Sequence, residues 1–97
     1  MTLTDKEKLM IENIINNEYD PGLEATPWVF AVQEGSTTGN EFGEMEYKGV
    51  LGSLVKKELV QIQDHEGQGK HEDFYCFLTD TGKEVAKELF STKYTWL

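Results

Sequence analysis

The spacing of apolar residues changes once in the second half of this chain, and that change constrains the fold more than any other feature. Seven apolar residues recur every three or four positions, namely Met45, Tyr47, Val50, Leu51, Leu54, Val55 and Leu59. This spacing predicts a helix. Residues 59–63 then alternate as a strand does, residues 64–72 are polar and contain glycine, and residues 74–78 are aromatic and apolar. We therefore expect a helix followed by a hairpin with a long tip.

An earlier helix is predicted to begin at Thr4. Thr4 and Glu7 have the capping-box spacing, in which each side chain accepts a hydrogen bond from a free backbone amide at the helix start. Its predicted apolar stripe is Met10, Ile11, Ile14, Ile15 and Tyr19, and its predicted polar positions are Asp5, Lys6, Lys8, Glu12, Asn13 and Asn16. We expect an amphipathic helix that ends near Asn17.

The apolar run at residues 28–32 fits two structures. Thr26 suits the cap of a helix with Pro27 in its first turn, and Gly35 suits its end. The same five residues also suit a buried strand, because so short a run has no clear period. We expect a helix here, with a strand as the alternative.

A final helix is predicted from Thr79 through Val85, Ala86, Leu89 and Phe90. The predicted order is helix, helix, helix, strand, strand, helix. Ninety-seven residues suffice for one hydrophobic core and are too few for two. We therefore expect residues 1–97 to form a single α+β domain.

Two stretches carry a family resemblance. KGVLGSLVKKELV at residues 48–60 and FLTDTGKEVAKEL at residues 77–89 resemble the MarR-like winged helix-turn-helix families. The first departs from the family pattern at Glu58, where glycine is usual and a left-handed backbone is expected. The resemblance implies three helices, an antiparallel wing of two or three strands and a C-terminal helix. It also implies a small transcriptional regulator of bacterial or phage type that binds DNA through the helix at residues 45–57.

The residues that the resemblance assigns to DNA are Lys48, Gly49, Gly52, Ser53, Lys56, Lys57 and, in the wing, Lys70. Lysine and serine are types that contact phosphates or base edges. Lysines in the last turn of a helix also interact favourably with the negative end of the helix dipole, and this requires no ligand. Gly49 and Gly52 cost about 1 kcal/mol each relative to alanine in a helix, which indicates a close approach. The approaching surface is DNA, a protein partner or another helix of the same core.

The charge of the chain opposes binding to nucleic acid. The formal net charge is −9, and residues 43–57 form the one stretch that is net positive. In the wing, Asp64, Glu66, Glu72 and Asp73 surround Lys70, and such a tip would be repelled by phosphates. The alternative function is therefore an acidic protein-interaction module that uses the same fold, for instance to mask a partner's nucleic-acid site.

Nothing in the sequence predicts an enzyme, a metal site or a cofactor. His65 and His71 share a loop with carboxylates, but their spacing matches no defined metal motif. The single cysteine, Cys76, lies in an apolar run and is expected to be a small buried hydrophobe. There is no glycine-rich phosphate loop after a strand and no nucleophile elbow. A binding protein is the expectation.

The expected location is the cytoplasm. The longest apolar runs are about five residues, against the roughly 20 that cross a bilayer, so no membrane span is predicted. The first residues also lack the basic and apolar regions of a secretory signal.

The C-terminal tail at residues 91–97 is unusually aromatic. Phe90, Tyr94, Trp96 and Leu97 form an apolar set that needs a surface to cover. Two alternatives remain: the tail docks on the chain's own core, or Tyr94, Trp96 and Leu97 form the interface of a homodimer.

Overall fold

Four helices and a two-stranded antiparallel sheet make up the computed structural model, which describes residues 2–35, 37–64 and 74–97. The helices are α1 (Asp5–Ile15), α2 (Val29–Glu34), α3 (Glu44–Lys56) and α4 (Asp80–Phe90), and the strands are β1 (Val60–Asp64) and β2 (Phe74–Leu78). The Cα radius of gyration is 12.2 Å, close to the ~12.5 Å of a compact chain of this length. The predicted α+β class and element order are confirmed.

Helix α1 lies at the centre of the molecule and contacts the other three helices. The predicted capping box is present, with Glu7 N donating to Thr4 Oγ1 at 3.1 Å and Thr4 N donating to Glu7 Oε1 at 2.8 Å. The stripe Met10, Ile11, Ile14 and Ile15 is fully buried. Because neighbours surround α1, two residues that we placed on its polar side, Glu12 and Asn13, are buried as well, as is the capping-box residue Glu7. The amphipathic prediction was wrong for Glu12 and Asn13.

The end of α1 lies close to the predicted position near Asn17. The helix ends at Ile15, because the Asn17 side chain forms the following turn: its Nδ2 donates to Ile14 O at 2.8 Å and its Oδ1 accepts from Asp20 N at 2.7 Å. Tyr19 falls beyond this turn and is 62% exposed, so its assignment to the apolar stripe was wrong.

The ambiguous run at residues 28–32 contains both of the proposed structures. Trp28 forms an isolated antiparallel bridge with Tyr75, and the chain turns into α2 at the next residue. Trp28, not Thr26, is therefore the N-cap, which corrects the prediction. The end of α2 is as predicted, since Gly35 has a φ of 58°. A Cβ there would lie 2.5 Å from Asn40 O, so this turn requires glycine.

The hairpin buries one face of its base. The strands pair Val60 with Leu78 and Ile62 with Cys76, and Val60, Cys76 and Leu78 belong to the core. The prediction that Cys76 is a buried hydrophobe is confirmed. The predicted long tip, with Lys70, His65 and His71, lies outside the described residues.

The junctions around α4 bring the two resembling stretches together. Glu58 has a φ of 61°, so the expected left-handed backbone after α3 is confirmed. Thr79 Oγ1 donates to Glu58 O at 2.6 Å and accepts from Gly82 N at 3.0 Å, which caps α4 as predicted. A Cβ on Gly82 would lie 2.0 Å from Leu59 O, so helix and strand meet here with no room for a side chain.

Candidate functional site

Helix α3 packs on the core by one side only. Tyr47, Leu51 and Leu54 are buried, and the opposite side is open. We call that side the outward face of α3; its residues are Met45, Lys48, Gly49, Gly52, Val55 and Lys56, all exposed. Met45 is 82% exposed, so placing it in the apolar stripe was wrong, as it was for Val55. Met45 lies two positions, or about 200°, from Tyr47 around the helix, and the two cannot face the same core.

The two glycines form the flattest part of the outward face. A Cβ built on either Gly49 or Gly52 meets no atom of the described residues within 4 Å. Packing against another helix of the same core, one of the explanations that we offered for them, is therefore wrong. The surface that would need their small size is not part of the described chain.

Charges on α3 are separated along its length. Glu44 and Glu46 lie in the first turn and Lys56 in the last. Lys48 Nζ lies 3.6 Å from Glu44 Oε1, and Glu46 is 3.5 Å from Lys6 Nζ. Lys56 forms no ion pair with any residue that the structure describes. The outward face is thus close to neutral, with an acidic start and a basic end.

Two residues that we assigned to DNA, Ser53 and Lys57, are turned towards α1 and bind Glu7. Ser53 Oγ donates to Glu7 Oε2 at 2.6 Å, and Lys57 Nζ donates to Glu7 Oε1 at 2.8 Å. The Glu7 residue is only 2% exposed. Burial by itself would raise the pKa of Glu7, but hydrogen bonds from Lys57, Ser53 and the Thr4 amide outweigh it and lower that pKa from 4.5 to about 2. Glu7 therefore stays ionised and fixes α3 on α1.

A second buried carboxylate, Glu12, holds the C-terminal tail. Lys93 Nζ lies 2.6 Å from Glu12 Oε2, and the Tyr94 hydroxyl donates to the same oxygen at 2.5 Å. The hydrogen bond to Glu12 raises the pKa of Lys93. The pKa of Tyr94 is raised mainly by burial of its hydroxyl and next by the hydrogen bond to Glu12. Tyr94 and Leu97 pack against the core, while Trp96 is 50% exposed. The tail thus docks on its own chain, the first of our two alternatives, and Trp96 is the member of the proposed interface that stays open.

Sequence reasoning missed Glu7, Glu12 and Met45 as site residues. A signal existed for Glu7, because it precedes Met10 by three positions and Ile11 by four and so shares their helical face. No such signal marked its partner Lys57, which is 50 residues away.

Among the described residues no group of three His, Cys, Asp or Glu side chains is placed to hold a metal ion. No helix within the described ranges is long and apolar enough to cross a membrane. Comparison with known protein families, with curated proteins and with solved structures finds no match to any of them.

Proposed function

We propose that this chain is a non-enzymatic protein-interaction module of the winged-helix type, and that the outward face of α3 is its docking surface. The element order, and the short bridge that Trp28 adds to the hairpin through Tyr75, support the winged-helix architecture. In this architecture α3 occupies the position of a recognition helix.

The observation that carries the proposal is the exposure of Met45 beside two open glycines on a nearly neutral face. An 82% exposed methionine is an adaptable apolar side chain of the kind found at protein-binding surfaces. Gly49 and Gly52 add no side-chain bulk, so another backbone can approach α3 closely. Such a surface fits a protein partner.

The same geometry weakens the case for DNA. Of the seven residues assigned to DNA, Ser53 and Lys57 bind Glu7, Lys48 is beside Glu44, and Lys70 lies outside the described residues. Five lysines form ion pairs within the chain, namely Lys6, Lys48, Lys57, Lys83 and Lys93. Affinity for DNA depends mainly on cations that neutralise phosphates, and among the described lysines Lys8, Lys56 and Lys87 form no ion pair with another described residue.

One observation still favours double-stranded DNA as a second candidate. Lys48 and Lys56 are both exposed on the outward face, eight residues apart. At 1.5 Å per residue their Cα atoms are separated by about 12 Å along the helix, comparable to the width of the major groove. If DNA binds here, Lys48→Ala and Lys56→Ala should each reduce the slope of log affinity against log salt by about 1, whereas Lys87→Ala on α4 should not.

Site-specific photo-crosslinking separates the candidates. A photoreactive amino acid replaces Met45 in one version of the tagged chain and Lys87, which is exposed on α4, in the control. Protein adducts formed in the native host from position 45 and not from position 87 support the proposal. Adducts to DNA from position 45 support the second candidate instead. Equal adducts from both positions, or none from position 45, contradict the proposal.

A further inference from the structure

We infer that the outward face of α3 binds the same face of a second copy of this chain, with the two α3 helices antiparallel. The twofold axis would pass between Val50 and Leu51. This inference rests on the proposed function and names the partner of the same surface.

The shape of the outward face is symmetric about that axis. Gly49 of one copy lies opposite Gly52 of the other, and Met45 lies opposite Lys56. Since no side chain stands at the centre, the two helix axes can approach closer than the usual 8–10 Å. Each glycine costs about 1 kcal/mol relative to alanine in a helix, and the close approach of the two helices would compensate for that cost.

The charges of α3 favour the antiparallel arrangement. Glu44 and Glu46 at the start of one helix come to lie near Lys56 at the end of the other. The two helix dipoles are then antiparallel, which is the favourable arrangement. A parallel pair would place acid against acid in the first turn. Charge complementarity thus selects one orientation, and the contact is isologous because each copy supplies both members of each pair.

The charge of the whole chain selects this surface over others for self-association. With a net charge of −9, two copies repel each other. Lys57 is paired with Glu7. On α3 itself Lys48 and Lys56 balance Glu44 and Glu46, so the helix carries no net charge and repulsion is small where α3 faces α3.

The apolar part of the contact is small. Met45 and Val55 are the exposed apolar side chains of the face; Met45 would pack onto the Lys56 stem of the other copy, and Val55 would lie opposite Glu46. We therefore expect a weak dimer whose population depends on concentration and on each charge pair.

A charge exchange tests the inference by sedimentation equilibrium. Wild type should dimerise reversibly. Lys56→Glu and Glu44→Lys should each raise the dimer dissociation constant by at least about tenfold, because each variant places like charges opposite one another. An equimolar mixture of the two variants should recover the dimer, since opposite charges then meet at both ends of the contact. The matched controls Lys87→Glu and Glu88→Lys change exposed charges on α4 and should leave the constant unchanged.

A third variant tests shape without charge. Gly52→Gln adds bulk at the centre of the contact in open space, so the monomer should fold and the dimer should weaken. The inference is overturned by a wild type that stays monomeric at its highest soluble concentration, by variants that dimerise as well as wild type, or by a mixture that does not recover. A monomer that still crosslinks another protein from position 45 refutes the inference and leaves the proposed function standing. A monomer without specific adducts refutes both.

Discussion

Lys57 Nζ and Glu7 Oε1 lie 2.8 Å apart and join the end of α3 to the first turn of α1. Glu7 also accepts from Ser53 on α3 and from the Thr4 amide at the start of its own helix. One buried carboxylate therefore fixes both the start of the central helix and the placement of α3. The orientation of the outward face depends on this contact.

Glu7→Gln should destabilise the fold in a pH-dependent way. The pKa of Glu7 is lowered from 4.5 to about 2 on folding, so its ionised form contributes about 3 kcal/mol of stability above pH 4.5. That contribution is lost as the pH falls from about 4.5 towards 2. Urea unfolding at neutral pH should show the variant about 3 kcal/mol less stable than wild type, with a gap that closes in acid.

The exposed Glu46 provides the control for that measurement. Glu46→Gln makes the same chemical change at a carboxylate 3.5 Å from Lys6, where a surface ion pair contributes below about 1 kcal/mol. If the difference in unfolding free energy between wild type and Glu7→Gln is equally large at pH 7 and pH 3, the role assigned to Glu7 is contradicted.

Glu58→Gly should stabilise the domain by about 1 kcal/mol. Glu58 has a φ of 61°, where a Cβ is unfavourable and glycine is not. Thermal unfolding should show a higher midpoint. Lys48→Gly, at an exposed position in the interior of α3, should lower stability by about as much. A loss of stability in the first variant would mean that the backbone at Glu58 is helical.

Alanine substitutions should distinguish the glycines of α3 from that of α4. Gly49→Ala and Gly52→Ala enter open space and should each raise stability by up to about 1 kcal/mol, or about 4–8 °C in midpoint. Gly82→Ala places a Cβ 2.0 Å from Leu59 O and should cost about 1–3 kcal/mol. Calorimetry of the three variants at low concentration, where self-association does not contribute, provides the comparison.

Tyr94→Phe should loosen the C-terminal tail. The substitution removes a hydroxyl that donates to buried Glu12, which should cost about 1–2 kcal/mol. Tyr19→Phe is the matched control on an exposed ring and should have almost no effect. Hydrogen exchange of residues 91–97 should accelerate in the first variant only. Unchanged exchange there would show that Glu12 does not hold the tail.

Local rules predicted the elements of this fold well and their surroundings less well. The capping box of Thr4 and Glu7, the turn at Gly35 and the left-handed Glu58 each depend on a few neighbouring residues, and all three were anticipated. The burial of Glu12 depends on Lys93, 81 residues away, and no local pattern reports such a contact. The exposure of Met45 depends on how α3 is rotated against α1, which Glu7 sets from outside α3. Membership in the MarR-like families stays a prediction.

Cys76 gives the folded chain a built-in reporter of its own opening. It is the single cysteine, it is fully buried, and burial raises the pKa of its thiol to about 12. Thiolates and not thiols react with alkylating reagents, so the native state should be inert to them. Alkylation then proceeds only through molecules in which the base of the hairpin has opened, and its rate measures how often that happens. A cysteine introduced on the outward face of α3 would likewise be the sole position to accept a fluorophore.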